Sequence, residues 1–512
     1  MSGMAQSDHR EIRKLRIAFV HPDLGIGGAE RLVVDAALGL QEKGHDVVIY
    51  TSHCDKSHCF EEVKSGLLNV EVMGDFLPTN LGGKLFILFA NLRQIYLTGK
   101  LAATAKVWSH DLYIVDQLST CVPVLSLLSQ SSRVLFYCHF PDQLLARRTS
   151  LLKKVYRVPF DLLEQLTMNA ADCIVVNSEF TKSVFAKTFK LASRKPNVVH
   201  PCVGLENGEA LATDLTRYKS ILSDKTRFYL SVNRYERKKN IELAIESFAL
   251  ASESKNTETK LVIAGGYDER VVENKEYLLE LRALTKKLQL ESVTIHYPQW
   301  EERSDSSMKA TSRAKIIFLT SISTSLKDLL LQKAEMLLYT PSYEHFGIVP
   351  LEAMKLGKPV LAVNNGGPLE TVVTLSPKSN EAQSTGWLRQ CDPSEWAAAI
   401  EESVPYLKER PTIFEKNGPQ RVRKLFSREA MTAEFEKNIS ELSWDDKNRS
   451  YENLIFLFLL CLSLIAPLAY FLGVSSKPFL IAVACLLFIS KEPKSIACVA
   501  AAVLVTIIAF RE

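Results

Sequence analysis

Two carboxylates stand eight residues apart in the run Glu344-His345-Phe346-Gly347-Ile348-Val349-Pro350-Leu351-Glu352, with a glycine between them. The apolar run Met336-Leu337-Leu338-Tyr339 before it reads as a buried strand. Pro350 suits the first position of a helix and Gly357 its end. That places Glu344 in the loop at a strand's carboxyl end and Glu352 in the first turn of the next helix. Ligands of α/β proteins bind in that crevice, and free backbone N–H groups there favour phosphate. Carboxylates beside them accept hydrogen bonds from sugar hydroxyls. A sugar nucleotide, held by its phosphates, ribose and sugar, is the ligand these residues suit.

Five further motifs sit at comparable places. Gly25-Ile26-Gly27-Gly28-Ala29-Glu30 lies between the first strand and the first helix. Its glycines either let backbone approach a phosphate or simply make a tight turn, and the pattern is not the GxGxxG of dinucleotide sites. In Asn233-Arg234-Tyr235-Glu236-Arg237-Lys238-Lys239-Asn240, Arg234 and one of Lys238 or Lys239 can clamp a diphosphate as leaving-group charge builds up. The plainer reading is a solvated basic loop, which the position after a strand makes the weaker one. His139, in Tyr137-Cys138-His139-Phe140-Pro141, would project from a strand end toward a sugar or acceptor, although a lone histidine there is more often structural. Gly265-Gly266 and Gly366-Gly367 also follow strands, as turns or as places where backbone meets ligand closely. The chain has no Asp-x-Asp, the spacing that holds a divalent metal against a diphosphate in many sugar transferases. No metal or other cofactor is therefore expected.

These motifs need strands to carry them. Ile17–Val20, a glycine loop, a helix from about Ala29 to near Gly44 and a strand Val47–Tyr50 make a βαβ opening and argue for a parallel sheet. Leu112–Val115, Val134–Cys138 and Cys173–Val176 are further strand candidates. A second series begins at Phe228–Val232 and continues through a helix Ile241–Ala251 and strands Leu261–Ala264, Ile316–Leu319 and Pro359–Val363, with an insertion-like stretch at Glu301–Arg313. The expected fold class is α/β, two facing Rossmann-like domains. The segments are a polar tail 1–15, a Rossmann-like acceptor-side domain 16–200, a connector 201–226, a Rossmann-like donor-binding domain 227–420, a returning basic helical segment 421–452 and a hydrophobic region 453–512.

At 512 residues the chain is long for one domain, and 47% apolar residues suffice for two cores. A net charge of +4 gives no case for nucleic acid. Ten cysteines without a CxxC indicate neither a disulfide framework nor a zinc ribbon, and His53, Cys54, His58 and Cys59 do not match ordinary ligand spacing. Met1–Leu15 has no apolar core of a signal peptide. Leu454–Val474 is 21 residues without a charge, enough to span a bilayer, and Pro478–Ser490 and Ser495–Phe510 are shorter apolar runs. Lys437, Lys447 and Arg449 precede the first run while Lys477 alone follows closely, which puts the preceding domains on the cytosolic side. Leu85–Leu97 and Val122–Leu128 read as core or surface contact rather than spans.

Taken together, GGAE at Gly27–Glu30, the Arg234/Lys239 spacing and Glu344-x7-Glu352 resemble the family-4 retaining glycosyltransferases of the GT-B fold, over roughly Arg16–Phe435. The resemblance selects Lys239 over Lys238. It implies that Arg234 and Lys239 contact the donor diphosphate and Glu344 the transferred sugar. The backbone of Phe346, Gly347 and Ile348 would meet phosphate or sugar, Glu352 the ribose, and Gly265 the donor. Gly27 and Gly28 would face the reacting centre, and His139 matches a cleft histidine. GIGGAERLVVDAA, FYCHFPD, VNRYERKKN and YEHFGIVPLEAM further resemble the branch that assembles dolichol-linked oligosaccharide at the endoplasmic reticulum. That branch implies GDP-mannose as donor, a dolichol-diphosphate oligosaccharide as acceptor (Man1GlcNAc2 to Man3GlcNAc2, α1,3 and α1,6), residence in the reticulum membrane and other transferases of the pathway as partners. The competing readings are a GPI-anchor GlcNAc transferase, a later dolichol-pathway mannosyltransferase, and a non-catalytic membrane scaffold. Intact Glu344, Glu352, Arg234 and Lys239 argue against the last.

Overall fold

The computed structural model describes residues 13–146, 148, 150–206, 211–223, 225–297 and 311–444. The hydrophobic region 453–512, residues 301–310 of the insertion-like stretch, and Lys447 and Arg449 lie outside the described residues. The chain divides into two compact units, one of Met1–Asn177, Thr181–Val199 and Thr432–Glu512, the other of Ser178–Phe180 and His200–Met431.

The first unit holds seven strands: β1 Arg16–His21, β2 Asp46–Thr51, β3 Asn69–Val72, β4 Leu112–Asp116, β5 Arg133–Cys138, β6 Cys173–Val176 and β7 Asn197–Val198. They form a parallel sheet in the order β3-β2-β1-β4-β5-β6-β7. Ile17 to Val20 are all buried, as are Leu112 to Val115 and Val134 to Cys138. Continuous burial marks strands covered on both faces, the usual state of a parallel sheet. The helix Gly28–Glu42 follows β1. The helix Phe86–Ala103 includes Asn91, Arg93 and Gln94 among its buried side chains. Arg93 donates to the Ser52 carbonyl and Gln94 to the Leu118 carbonyl. One face of the helix is thus tied into the protein while Phe86 and Tyr96 stay exposed, and among the described residues no helix is long and apolar enough to cross a membrane.

The second unit holds β8 Arg227–Val232, β9 Thr259–Gly265, β10 Ser292–His296, β11 Ile316–Thr320, β12 Met336–Tyr339, β13 Val360–Val363 and β14 Gly386–Arg389. These too are parallel, in the order β10-β11-β9-β8-β12-β13-β14. Side-chain alternation sorts them into two layers. Leu230, Val262, Leu337 and Val360 join one core cluster, while Tyr229, Leu261, Leu338 and Leu361 join the other. In each sheet the chain winds outward in one direction and then reverses, between β1 and β4 in the first and between β8 and β12 in the second. The carboxyl ends of those strands border the switch-point crevice where open α/β sheets take ligands.

Two stretches differ from the sequence expectation. Residues 201–226, read as a connector, carry the helix Ala212–Ile221, whose Tyr218 and Ile221 enter the second core. Polar letters hid it because one of its inward residues is Asp214, which accepts from the hydroxyls of Ser323 and Tyr297, both at 2.8 Å. Residues 421–444 serve both units. Arg421 donates to the carbonyls of Thr371 and Glu370 within the second unit. Later in the helix Arg428–Ser440, Phe435 meets Tyr137 and Glu436 pairs with His45 within the first unit.

Candidate functional site

In the second unit, the basic loop after β8 and the carboxylate loop after β12 come together. Lys239 Nζ lies 2.5 Å from Glu344 Oε2, and Lys327 Nζ lies 2.6 Å from Glu352 Oε1. The lysines of both pairs line a cavity of about 290 Å³ that also touches Arg234, Gly265, Gly266 and Tyr339. Its volume is near the lower end for small-molecule sites. Arg234 is 66% exposed and 3.3 Å from Glu236. Lys238 is equally exposed and pairs with Glu236 at 2.9 Å, outside the cavity lining. The two adjacent lysines therefore have separate partners. A larger, more open hollow of about 800 Å³ beside Arg282 and Lys286 contains none of the motif residues. Chemistry rather than size selects between the two.

Local geometry fixes the carboxylate loop. Gly347 has φ +87°, and a Cβ there would sit 3.0 Å from the Tyr339 hydroxyl. Burial first, then the neighbouring Glu344 charge, holds that hydroxyl well above the ordinary tyrosine range. From the next strand end, Gly367 donates its N–H to the Glu344 carbonyl at 2.8 Å. A Cβ on Gly367 would fall 2.1 Å from the Phe346 carbonyl oxygen, so only glycine fits. Phe346 itself is buried against His200 and Phe426. Its ring belongs to the core, and its backbone is what the loop presents. The following helix is Ile348–Lys355, so Glu352 sits in its second turn rather than its first. Pro350 is tolerated two residues in because the first N–H groups of a helix have no internal partner.

The other glycines divide by cause. A Cβ on Gly265 would lie 1.8 Å from the Asn233 carbonyl oxygen, so packing between the ends of β8 and β9 explains this glycine. Around Gly25 and Gly28 a Cβ would meet nothing within 4 Å, and Gly27 would meet the flexible Glu30 carboxylate. None of these three has positive φ. The fold does not demand glycine there, so the open space before the helix Gly28–Glu42 has no packing explanation.

His139 follows β5 in the first unit, 21% exposed, with Nε2 2.5 Å from Asp116 Oδ1. Asp116 ends β4 and is buried; its Oδ2 lies 2.7 Å from Nδ1 of His21, which ends β1. Three strand ends thus meet in one His–Asp–His contact. Sequence reading missed Asp116, His21, Lys327 and Asp214. Position at a strand's carboxyl end was an available signal for the first two; Lys327 and Asp214 carried none. The His53/Cys54/His58/Cys59 stretch places His53 on Asp75, and burial, with Cys59 alongside, pushes the Cys54 thiol up to about 11. Among the described residues no three His, Cys, Asp or Glu side chains gather as a metal-holding group.

Residues 26–207 match the sequence model of Glycosyltransferase Family 4, and residues 213–421 that of Glycosyl transferases group 1. The chain is 59% identical to the alpha-1,3/1,6-mannosyltransferase ALG2 of Saccharomyces cerevisiae, over 85% of this chain and 86% of that one. It is 53% identical to the protein of the same name from Kluyveromyces lactis, over 94% and 96%. The chain belongs to the α-1,3/1,6-mannosyltransferase family. Its described fold is that of the wider GT-B group. Sucrose-phosphate synthase from Thermosynechococcus elongatus superimposes with a TM-score of 0.59 at 19% identity, covering 84% of this chain and 99% of that one. Anabaena Alr3699/HepE, in complex with UDP, gives 0.58 at 17%, covering 83% and 100%. As a member of the mannosyltransferase family the protein is a hexosyltransferase, which removes the scaffold alternative.

Proposed function

We propose that this mannosyltransferase moves mannose from GDP-mannose to a dolichol-diphosphate oligosaccharide, extending Man1GlcNAc2 to Man3GlcNAc2 through α1,3 and α1,6 linkages. The pairing of Lys239 with Glu344 carries the mechanistic part. In the structure the two charges satisfy each other. A donor diphosphate is a stronger partner for Lys239, and its arrival frees Glu344 to accept from the hydroxyls of the transferred sugar. Arg234, exposed beside the same cavity, supplies the second cation on the diphosphate. As the glycosidic bond breaks, negative charge grows on the leaving diphosphate, and fixed cations stabilise that change. The backbone at Phe346, Gly347 and Ile348 meets phosphate or sugar. Glu352 meets the ribose, with Lys327 holding its carboxylate. Gly27 and Gly28 leave room at the reacting centre, and His139 contacts the sugar or acceptor.

The anomeric configuration is retained without a glycosyl-enzyme. The departing diphosphate accepts the acceptor hydroxyl's proton on the face it leaves from. The region 453–512 anchors the enzyme in the endoplasmic reticulum membrane, with both units on the cytosolic face beside other transferases of the pathway. Labelled GDP-mannose and a synthetic lipid-diphosphate acceptor test the proposal. The expected products carry α1,3- and α1,6-linked mannose. Transfer from another sugar nucleotide, or a trapped glycosyl adduct on a side chain, refutes it.

A further inference from the structure

We propose that Asp116, itself fixed by His21, is a positioning residue that turns the Nδ1 edge of His139 toward the substrate. This rests on the reading of His139 as the residue that contacts sugar or acceptor. His21 Nδ1 is 2.7 Å from Asp116 Oδ2 and His21 Nε2 is 3.0 Å from the Asp23 carbonyl oxygen. A carbonyl only accepts, and so does an ionised carboxylate. Both His21 nitrogens therefore donate, and the ring is a buried imidazolium. Desolvation alone would lower the proton affinity of His21; its bond to Asp116 and the charge of Asp116 outweigh that and raise it. Desolvation would likewise raise the Asp116 carboxyl, but the two histidines hold it below its ordinary value. The pair is buried, at 0% and 1% side-chain exposure, so it is shielded from solvent screening.

The remaining Asp116 oxygen contacts His139 Nε2 at 2.5 Å, close but without in-line hydrogen-bond alignment. Only that edge of the ring is turned to Asp116, which leaves Nδ1 on the other. His139 adjoins the end of β5, and Tyr137, two residues before it, packs its ring 4.8 Å from the imidazole. The Tyr137 hydroxyl is itself tied to the Val199 carbonyl. Orientation by a carboxylate on one ring nitrogen, with the other left to the substrate, is the division of labour seen in carboxylate–histidine pairs generally. Here the orienting carboxylate is in turn neutralised by a second histidine. His139 can then donate from or accept at Nδ1 without a net negative charge beneath it.

The test uses the full-length, membrane-bound enzyme. His139→Asn keeps an amide where Nδ1 stood, and His139→Gln keeps one where Nε2 stood. We expect Asn to retain about tenfold more kcat than Gln, as positioned donors typically contribute. Asp116→Asn should lower kcat by about 10–10²-fold with donor KM little changed, and adding it to His139→Ala should cost nothing further. Additive losses in that double variant, or Gln equal to or better than Asn, overturn the positioning role even if Asp116→Asn folds poorly. Wild-type kcat in His139→Ala instead removes the reading of His139 on which the inference stands.

Discussion

Lys239 Nζ sits 2.5 Å from Glu344 Oε2, while the adjacent Lys238 reaches Glu236 on the other side of the turn. One residue of chain separates a lysine that lines the cavity from one that solvent covers. Lys239→Ala should therefore lower kcat about 10²-fold, as loss of a charge-stabilising donor does. Lys238→Ala should change it less than about threefold, in the range of an exposed ion pair. Steady-state kinetics on both variants check this, and equal losses would show that Lys239 is the wrong choice of clamp residue.

Two glycines should fail in opposite ways. Gly367→Ala forces a methyl against the Phe346 carbonyl and should lower the melting temperature by several degrees, at a cost of about 1–3 kcal/mol. Gly28→Ala meets no protein atom and opens a helix, so folding should be unaffected or slightly better. If the space before that helix receives substrate, Gly28→Ala loses activity at an unchanged melting temperature. Thermal melts alongside kinetics separate the two; a destabilised Gly28→Ala would mean that the glycine serves the fold.

Glu164 predicts a pH effect. Burial pushes its carboxyl up from an ordinary 4.5 to about 8, although it accepts from the backbone N–H groups of Asp142 and Gln143. The folded chain then holds a proton that the unfolded chain releases. Stability from this group is fully present below about pH 4.5 and is lost as pH rises through about 8. Glu164→Gln should flatten the fall in melting temperature between pH 5 and 8 and stabilise relative to wild type at the upper end. An unchanged slope would show that Glu164 is ionised throughout.

On the proposed reading of Arg234 and Lys239 as the cations on the diphosphate, in the role a metal would otherwise have, transfer should persist in EDTA. Loss of activity restored by Mg²⁺ or Mn²⁺ would reverse this and reopen the question of His53, Cys54, His58 and Cys59.

Truncation before Asn453 should release much of the protein from membranes and reduce activity on long-chain lipid acceptors more than on short soluble ones, because an anchored enzyme gains effective concentration. Of the basic residues that precede the region, Arg421 is committed to carbonyls of the second unit, leaving Arg423 and Lys424 for weak headgroup contact. Partial release that grows with salt is expected in a sedimentation assay. Full retention after a carbonate wash would mean that an earlier segment crosses the bilayer.

Nine of the ten strands expected from apolar runs fall within strands of the structure and the tenth, Pro359–Val363, overruns β13 by one residue; a parallel sheet buries both faces and writes its strands as unbroken Val, Ile and Leu. β3, β7, β10 and β14 escaped notice: β7 is only two residues long, and the other three have exposed or half-exposed positions that break the pattern. The carboxylate loop, the basic loop and His139 were legible as types at strand ends. What local sequence did not carry was partnership. Lys239 reaches Glu344 across 105 residues, and His21 reaches Asp116 across 95. Lys327 joins Glu352 from a helix with no motif of its own. A parallel sheet brings distant strand ends side by side, so which charges meet is decided by strand order and register. Residue type set what chemistry was available; tertiary structure chose which lysine pairs with Glu344 and which edge of His139 is held.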